Sequence, residues 1–318
     1  MIGIVGAGAF GTALAVALAR AGHEVRLWAR DAEQVQALRD TRRNDRALPG
    51  VSLPENVSIH AKIAEATGGE ALLLAVPMQA LGAVLDRYPE IGPGETLVAC
   101  CKGVDLASLR GPVALIRDRR PDARAAILTG PSFAVDIAKG LPTALTLAVT
   151  GGGAQLQELL STPTLRLYRT DDITGAELGG ALKNVIAIAS GTVIGAGLGD
   201  SARAALMTRG YAEMVRLAVA MGARPETLAG LSGLGDLVLT CTSAQSRNFR
   251  YGCALGRGED FDPRVTVEGV ATASAVVRLA ADLRLDMPVT TMVDALASGR
   301  IALNDAIGRL MSRPLKQE

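Results

Sequence analysis

The chain opens Met1-Ile-Gly-Ile-Val-Gly6-Ala-Gly8-Ala-Phe-Gly11-Thr-Ala-Leu-Ala-Val-Ala-Leu-Ala-Arg20, and these first twenty residues decide the fold. Ile2 to Val5 is a short aliphatic run with strand character, and the residues from Gly11 to Ala21 carry a helical pattern. Between them the glycines fall at 6, 8 and 11. Gly6 would allow the tight turn out of the strand, Gly8 lets the backbone approach a pyrophosphate, and Gly11 lets helix and strand pack closely. The unpaired amides at the start of the following helix then face the phosphates. In this strand-turn-helix setting the motif predicts a bound dinucleotide; a glycine turn with a purely structural role is the alternative.

Moving outward, the first half of the chain alternates aliphatic runs with helical patterns, the rhythm of an α/β fold with a mostly parallel sheet. Strands are expected at Ile2 to Val5, Val25 to Trp28, Ala71 to Val76, Thr96 to Cys100, Ala126 to Leu128, Ala144 to Val149 and Leu165 to Tyr168. Helices are expected between several of them, notably at Ala32 to Arg39. From about residue 178 the periodicity becomes helical. Ser201 to Met221 reads as a long amphipathic helix capped by Asp200 or Ser201 and ended by Gly222, followed by helices at Glu268 to Leu283, Pro288 to Ala297 and Leu303 to Met311. The expected organisation is a Rossmann-type dinucleotide-binding domain over residues 1–180 and an all-helical substrate-binding and catalytic domain over residues 181–318.

Composition narrows the function classes. The chain has 318 residues, 49% of them hydrophobic, and a formal net charge of +1 with acidic and basic residues interspersed. It can bury sizeable cores but carries no electrostatic footprint for nucleic acid or an anionic membrane. Residues 1 to 19 lack charge and imitate a signal peptide or membrane span. They have no basic segment after Met1 and are broken by four glycines, so neither export nor membrane insertion is expected. The cysteines, at 100, 101, 241 and 253, lack the spacing of a zinc or redox motif; reduced structural thiols in a cytoplasmic protein are expected, with no metal. The two histidines, His23 and His60, make a histidine base improbable.

Lys183 is the strongest candidate for chemistry. The chain has only five lysines (62, 102, 139, 183 and 316) against twenty-eight arginines, and Lys183 sits in Glu177-Leu-Gly-Gly-Ala-Leu-Lys-Asn-Val-Ile-Ala-Ile-Ala189. An ammonium can lose its proton when desolvated, whereas a guanidinium stays charged, so lysine in an apolar helix points to proton transfer. Gly180 and Gly179, three and four residues earlier on the same face, are expected to leave room for a ligand. The alternative is a lysine that lays its stem along the helix and sends its head to water.

Three further segments belong with it. Lys102 follows the strand Thr96 to Cys100, and Gly130-Pro-Ser-Phe-Ala134 follows Ala126 to Leu128; both stand at strand carboxyl ends, where ligands of such folds bind, and should border one crevice. The polar cluster Gly233-Leu-Gly-Asp-Leu-Val-Leu-Thr-Cys-Thr-Ser-Ala-Gln-Ser-Arg-Asn248 holds Arg247, which could clamp a phosphate through paired N–H donors, with Ser246 and Asn248 adding neutral bonds. Asp236 in the same cluster is an odd charge to bury unpaired, and could orient Lys183 or a substrate hydroxyl. At the end of the second strand, Arg30 could receive a ribose 2'-phosphate, while Asp31 looks like a helix cap. That favours NADP(H) and leaves NAD(H) open; a solvated surface arginine is the plainer alternative.

In order along the chain, these segments resemble the bacterial NAD(P)-dependent glycerol-3-phosphate dehydrogenases. The resemblance runs from the first strand to Arg313-Pro-Leu-Lys-Gln-Glu318, and rests on Gly130-Pro-Ser-Phe-Ala134, Glu177-Leu-Gly-Gly-Ala-Leu-Lys-Asn184 and Gly235-Asp-Leu-Val-Leu-Thr-Cys-Thr-Ser243 with Ser246-Arg-Asn248. It implies that Lys183 is the proton acceptor when glycerol 3-phosphate is oxidised. It also implies substrate contacts at Lys102, Gly130, Ser132, Asp236, Ser246, Arg247 and Asn248, and cofactor contacts at Ala9, Phe10, Arg30, Lys102, Ala134, Arg247 and Glu268. Synthesis of a phospholipid precursor and a homodimer are further implications. Ser201 stands where the family usually carries asparagine, and Val135 and Thr174 also depart from its pattern. Two rivals remain: a related dehydrogenase of a β-hydroxy acid or a sugar-acid phosphate, and a nucleotide-sensing protein without turnover.

Overall fold

The computed structural model describes residues 1–92 and 94–312. The segment Arg313 to Glu318, with Lys316, lies outside the described residues. Eight strands form one sheet: β1 (Ile2–Val5), β2 (Val25–Trp28), β3 (Val57–His60), β4 (Ala71–Leu74), β5 (Thr96–Ala99), β6 (Arg124–Thr129), β7 (Thr143–Val149) and β8 (Leu165–Thr170). Their order is β3-β2-β1-β4-β5-β6-β7-β8, parallel throughout except where β6 meets β7. The central strands β1 and β4 are buried at every position, as their unbroken apolar sequences require of strands covered on both faces.

All seven expected strands form, with small differences in length. The eighth, β3, was not expected: its four residues Val-Ser-Ile-His alternate between sheet-facing and polar positions at the sheet edge, where pairing with β2 alone stabilises it. His60 belongs to this edge, bonded to Glu65 and Ser58.

Parallel register aligns the carboxyl ends. Val5 pairs with Trp28 and Leu74, Leu74 with Ala99, and Ala99 with Ile127. The glycine turn, Arg30, Lys102 and Gly130 to Ala134 therefore all leave the same edge of the sheet. Strand order reverses direction between β1 and β4, which opens a crevice at that edge.

The helices of the first part are α1 (Ala9–Arg20), α2 (Ala32–Thr41), α3 (Met78–Arg87), α4 (Pro112–Arg119), α5 (Ala134–Ala138) and α6 (Gly153–Leu160). Cores lie on both faces of the sheet; α1 packs in one, α3 and α4 in the other. Thus the uncharged opening of the chain is a central strand and a buried crossover helix. Beyond β8 every described element is helical: α7 (Ile173–Gly195), α8 (Gly199–Ala220), α9 (Pro225–Ala229), α10 (Asp236–Thr242), α11 (Arg247–Arg257), α12 (Glu268–Asp282), α13 (Pro288–Ala297) and α14 (Leu303–Met311), with a wide π-helical turn, Leu231–Gly235, leading into α10.

At the centre of this second part is α7, buried without a break from Leu178 to Thr192 and running uninterrupted through residues 180 and 181. By length and composition it would cross a membrane, but 89% of its apolar window is enclosed by the other elements, so its hydrophobicity is that of a core helix. The start of α8 differs from expectation. Its cap position is Leu198, and neither Asp200 nor Ser201 caps it; Asp200 instead pairs with Arg203 one turn on, 3.0 Å away. Ser201 and Thr174 both stand in first helical turns, and Val135 packs against the sheet core.

Candidate active site

The glycine turn has the geometry that a pyrophosphate needs. Gly6 has φ +112°, and a Cβ there would lie 2.5 Å from the Ala75 carbonyl oxygen, so only glycine suits this turn. A Cβ on Gly11 would lie 2.0 Å from the Gly6 oxygen, so helix and strand are as close as backbone permits. A Cβ on Gly8 would meet nothing within 4 Å. Gly8 is also the cap of α1 and offers no side-chain acceptor, and the amides of Gly8, Ala9, Phe10 and Gly11 donate to no acceptor among the described residues. Orphan helix-start amides beside open space fit an anion. Phe10 and Ala134, at the starts of α1 and α5, are half-buried against the same core.

Across the crevice, α7 and α10 build the cluster around Lys183. The Lys183 side chain points inward and is buried; its Nζ donates to Asp236 Oδ1 at 2.8 Å and to Thr240 Oγ1 at 2.7 Å. Asp236, 1% exposed, uses its other oxygen for Lys102 Nζ at 2.6 Å. Lys102 Nζ also donates to the Gly130 carbonyl at 3.0 Å, which accepts from Ser132 Oγ at 3.2 Å as well. One carboxylate from α10 thus joins a helix lysine to a lysine on the loop after β5 and, through it, to the loop after β6. An ammonium has three N–H donors, and each lysine uses two of them on protein, so each keeps one for a ligand. Burial pushes the Lys183 pKa down to about 8, with the Asp236 charge opposing the shift and the Lys102 charge adding to it.

Neighbouring residues connect to the cluster less directly. Asn184, beside Lys183, accepts from Asn248 Nδ2 at 2.9 Å, and Asn248 Oδ1 accepts from the Gly269 amide at 2.9 Å, which links the starts of α11 and α12 to α7. Ser246 caps α11, its Oγ accepting from the Phe249 amide at 3.2 Å. The side chain of Arg247, the next residue, is exposed and makes no hydrogen bond or ion pair among the described residues, though its charge reaches Glu268. Glu268 opens α12 half-buried; burial holds its carboxyl above the usual carboxylate range, opposed by the charges of Arg247, Lys102 and Lys183. Arg30, exposed at the end of β2, touches none of these groups. It stands three strands from β5, about 14 Å at ordinary strand spacing.

The space expected beside Lys183 is filled by protein. A Cβ on Gly179 would lie 2.6 Å from the Ser232 carbonyl oxygen, and one on Gly180 would lie 2.5 Å from Thr129 Oγ1. These glycines let the π-helical turn and the end of β6 pack on α7, which is how Asp236 comes within reach of Lys183. Thr240 and Asn184 lie inside the quoted motifs but were not singled out; the spacing of Thr240 four residues after Asp236 on one helix was the available signal. The buried Thr129 hydroxyl, without a hydrogen-bond partner, gave none.

Residues 1–153 match the profile of the NAD-dependent glycerol-3-phosphate dehydrogenase N-terminus, and residues 172–308 match that of the C-terminus of the same enzymes. The chain belongs to the NAD-dependent glycerol-3-phosphate dehydrogenase family. Among its relatives, the glycerol-3-phosphate dehydrogenase [NAD(P)+] of Cereibacter sphaeroides is 64% identical, with all of both chains covered. That of Ruegeria is 59% identical over all of this chain and 99% of the relative. A crystal structure of glycerol-3-phosphate dehydrogenase from Coxiella burnetii is 37% identical and superimposes with a TM-score of 0.93 over 98% of each chain. A ketopantoate reductase from Ralstonia eutropha, 20% identical with a TM-score of 0.64 and covering 96% of this chain and 100% of its own, shares the fold only.

Proposed function

We propose that this family member interconverts dihydroxyacetone phosphate and sn-glycerol 3-phosphate with NAD(P)(H), and that Lys183 is its acid/base group. One observation carries the assignment: Asp236 holds two lysines at the carboxyl edge of a dinucleotide-type sheet, each with an N–H to spare. The bound nicotinamide supplies or accepts the hydride. In the reducing direction the Lys183 ammonium stabilises the oxygen that gains negative charge at the substrate carbonyl and passes it a proton. In oxidation the neutral amine takes the hydroxyl proton. A pKa of about 8 keeps the ammonium dominant at neutral pH and the amine accessible, which favours synthesis of glycerol 3-phosphate, a phospholipid precursor.

Lys102, Gly130, Ser132, Ser246, Arg247 and Asn248 form the proposed substrate contacts. The exposed guanidinium of Arg247, with its N–H donors uncommitted to side-chain hydrogen bonds, suits a phosphate dianion, while Asn248 and Ser246 fix the start of α11 beside it. For the cofactor, Gly6, Gly8, Ala9, Phe10 and Gly11 cradle the pyrophosphate, with Lys102, Ala134, Arg247 and Glu268 nearer the nicotinamide end. Arg30 is free to meet a 2'-phosphate. Asp31 is occupied, accepting from the Glu33 amide as the cap of α2 and from Arg46, which supports NADP(H) over NAD(H). Residues 1–180 then serve the cofactor and 181–318 the substrate. Four buried, unbridged cysteines suit the cytoplasm, and the resemblance suggests a homodimer.

The test is loss of reduced-nicotinamide absorbance with dihydroxyacetone phosphate and each reduced nucleotide. Turnover is expected with both, faster with NADPH. Oxidation of 3-hydroxyisobutyrate with no turnover of the phosphorylated triose would reassign the substrate, and tight nucleotide binding without any turnover would make the chain a sensor.

A further inference from the structure

Asn44 lies in the loop after α2 and is 3% exposed. Its Nδ2 donates to the Ala7 carbonyl at 2.9 Å and to Thr12 Oγ1 at 2.7 Å. Gln34, on α2, donates from Nε2 to the same Ala7 oxygen at 2.9 Å and to Asn44 Oδ1 at 3.3 Å. A carbonyl oxygen can only accept, so the nitrogen of each amide must face it. Two side chains from outside the glycine turn therefore converge on one of its peptide groups, and Asn44 ties that group to the buried hydroxyl of α1.

A trans peptide points its C=O and N–H to opposite sides. With the Ala7 oxygen drawn toward Asn44 and Gln34, the Gly8 amide is turned the other way, and it donates to no acceptor among the described residues. No other hydrogen bond among the described residues reaches the Ala7 oxygen. The same Ala7–Gly8 unit, rotated, would present a carbonyl oxygen to the ligand and repel a pyrophosphate, and glycine at position 8 makes that rotation sterically easy.

We infer that Asn44 and Gln34 are positioning residues for the cofactor, locking the Ala7–Gly8 peptide so that its N–H faces the pyrophosphate. The inference rests on the assignment of the glycine turn as the pyrophosphate cradle. It concerns one peptide orientation, so its signature is selective: ligands with a pyrophosphate should be affected, and ligands that bind only through adenosine and a 2'-phosphate should not.

Asn44→Asp, which replaces the donor facing Ala7 with an acceptor, and Gln34→Met, at a half-buried site, separate the cases. NADP+ binding is measured by titration calorimetry, and adenosine 2'-monophosphate by competition against it. Each folded variant is expected to bind NADP+ about tenfold more weakly, the order expected for a lost hydrogen bond and a misdirected amide, with adenosine 2'-monophosphate within about twofold of wild type on the same scale. Unchanged NADP+ affinity in Gln34→Met, or parallel loss of both ligands, overturns the inference; if Asn44→Asp does not fold, Gln34→Met decides alone. Failure of the wild-type chain to bind either dinucleotide would instead sink the cradle assignment.

Discussion

Asp236 and Glu213 are equally buried, at 1% and 2% exposure, yet their surroundings differ completely. Glu213, on α8, meets no cation in its first contacts: it accepts from the amides of Val289 and Thr290 at 2.6 and 3.1 Å and from Thr290 Oγ1 at 3.0 Å, capping α13 from another helix. Burial raises its pKa against those bonds. Asp236 meets two ammonium groups. The donors around Glu213 are backbone and hydroxyl groups with nothing else to offer, so the arrangement fixes a helix. Those around Asp236 retain protons that point elsewhere, so the arrangement can act on a ligand. Burial alone does not separate a structural carboxylate from a functional one; the spare donors of its partners do.

If this contrast is right, substitutions on the two sides fail in different ways. Lys183→Ala should lower kcat by about 10³, within the usual range for a general acid, and leave the dissociation constant for the dinucleotide within about twofold. Steady-state kinetics with equilibrium titration measures both. Asp236→Asn should lower kcat by roughly 10², because two ammonium groups then face each other without a counter-charge, and the kinetic pKa of Lys183 should fall further. Arg247→Ala should mainly raise KM for the phosphorylated substrate, by roughly thirtyfold if a paired, charge-assisted contact is lost. The smallest effect belongs to Glu213→Gln, which should cost about 1 kcal/mol of stability and show as a modest drop in Tm, with kcat retained. A Glu213→Gln variant that is stable but inactive would erase the distinction.

The two halves of the site were legible to different degrees. The glycine turn is local: strand, turn and helix are contiguous, and the roles of Gly6, Gly8 and Gly11 follow from backbone geometry that six residues dictate. Lys183 stood out by residue type in an apolar helix. Asp236 stood out as a charge in an apolar stretch and Lys102 as a strand-end lysine, but Thr240 did not. That one carboxylate joins both lysines was not legible, because Asp236 and Thr240 arrive from 53 and 57 residues away and Lys102 reaches Asp236 across 134. No periodicity encodes such convergence. The same distance explains the misjudged glycines: Gly179 and Gly180 mark close approach, but a sequence does not say whether a ligand or Ser232 and Thr129 fill the space. Asn44 passed unnoticed because its partner is the main chain of Ala7, 37 residues earlier. Among the strands, β3 was missed because Ser58 and His60 interrupt its apolar run at the sheet edge, whereas the equally short β1 is wholly apolar and buried. At α8 an acidic residue that resembled a cap forms an ion pair instead.

Catalysis at this site depends on Lys183 exchanging a proton with the substrate oxygen, and paired pH profiles of kcat/KM test this most directly. With a pKa of about 8 the ammonium predominates below that pH. Reduction of dihydroxyacetone phosphate should therefore hold steady up to about pH 8 and fall above it, whereas oxidation of glycerol 3-phosphate should rise toward the same pH and level off. Mirror-image profiles that share one break, lost in Lys183→Ala, are the predicted result. Profiles that move in the same direction, or a break that persists without Lys183, would contradict it.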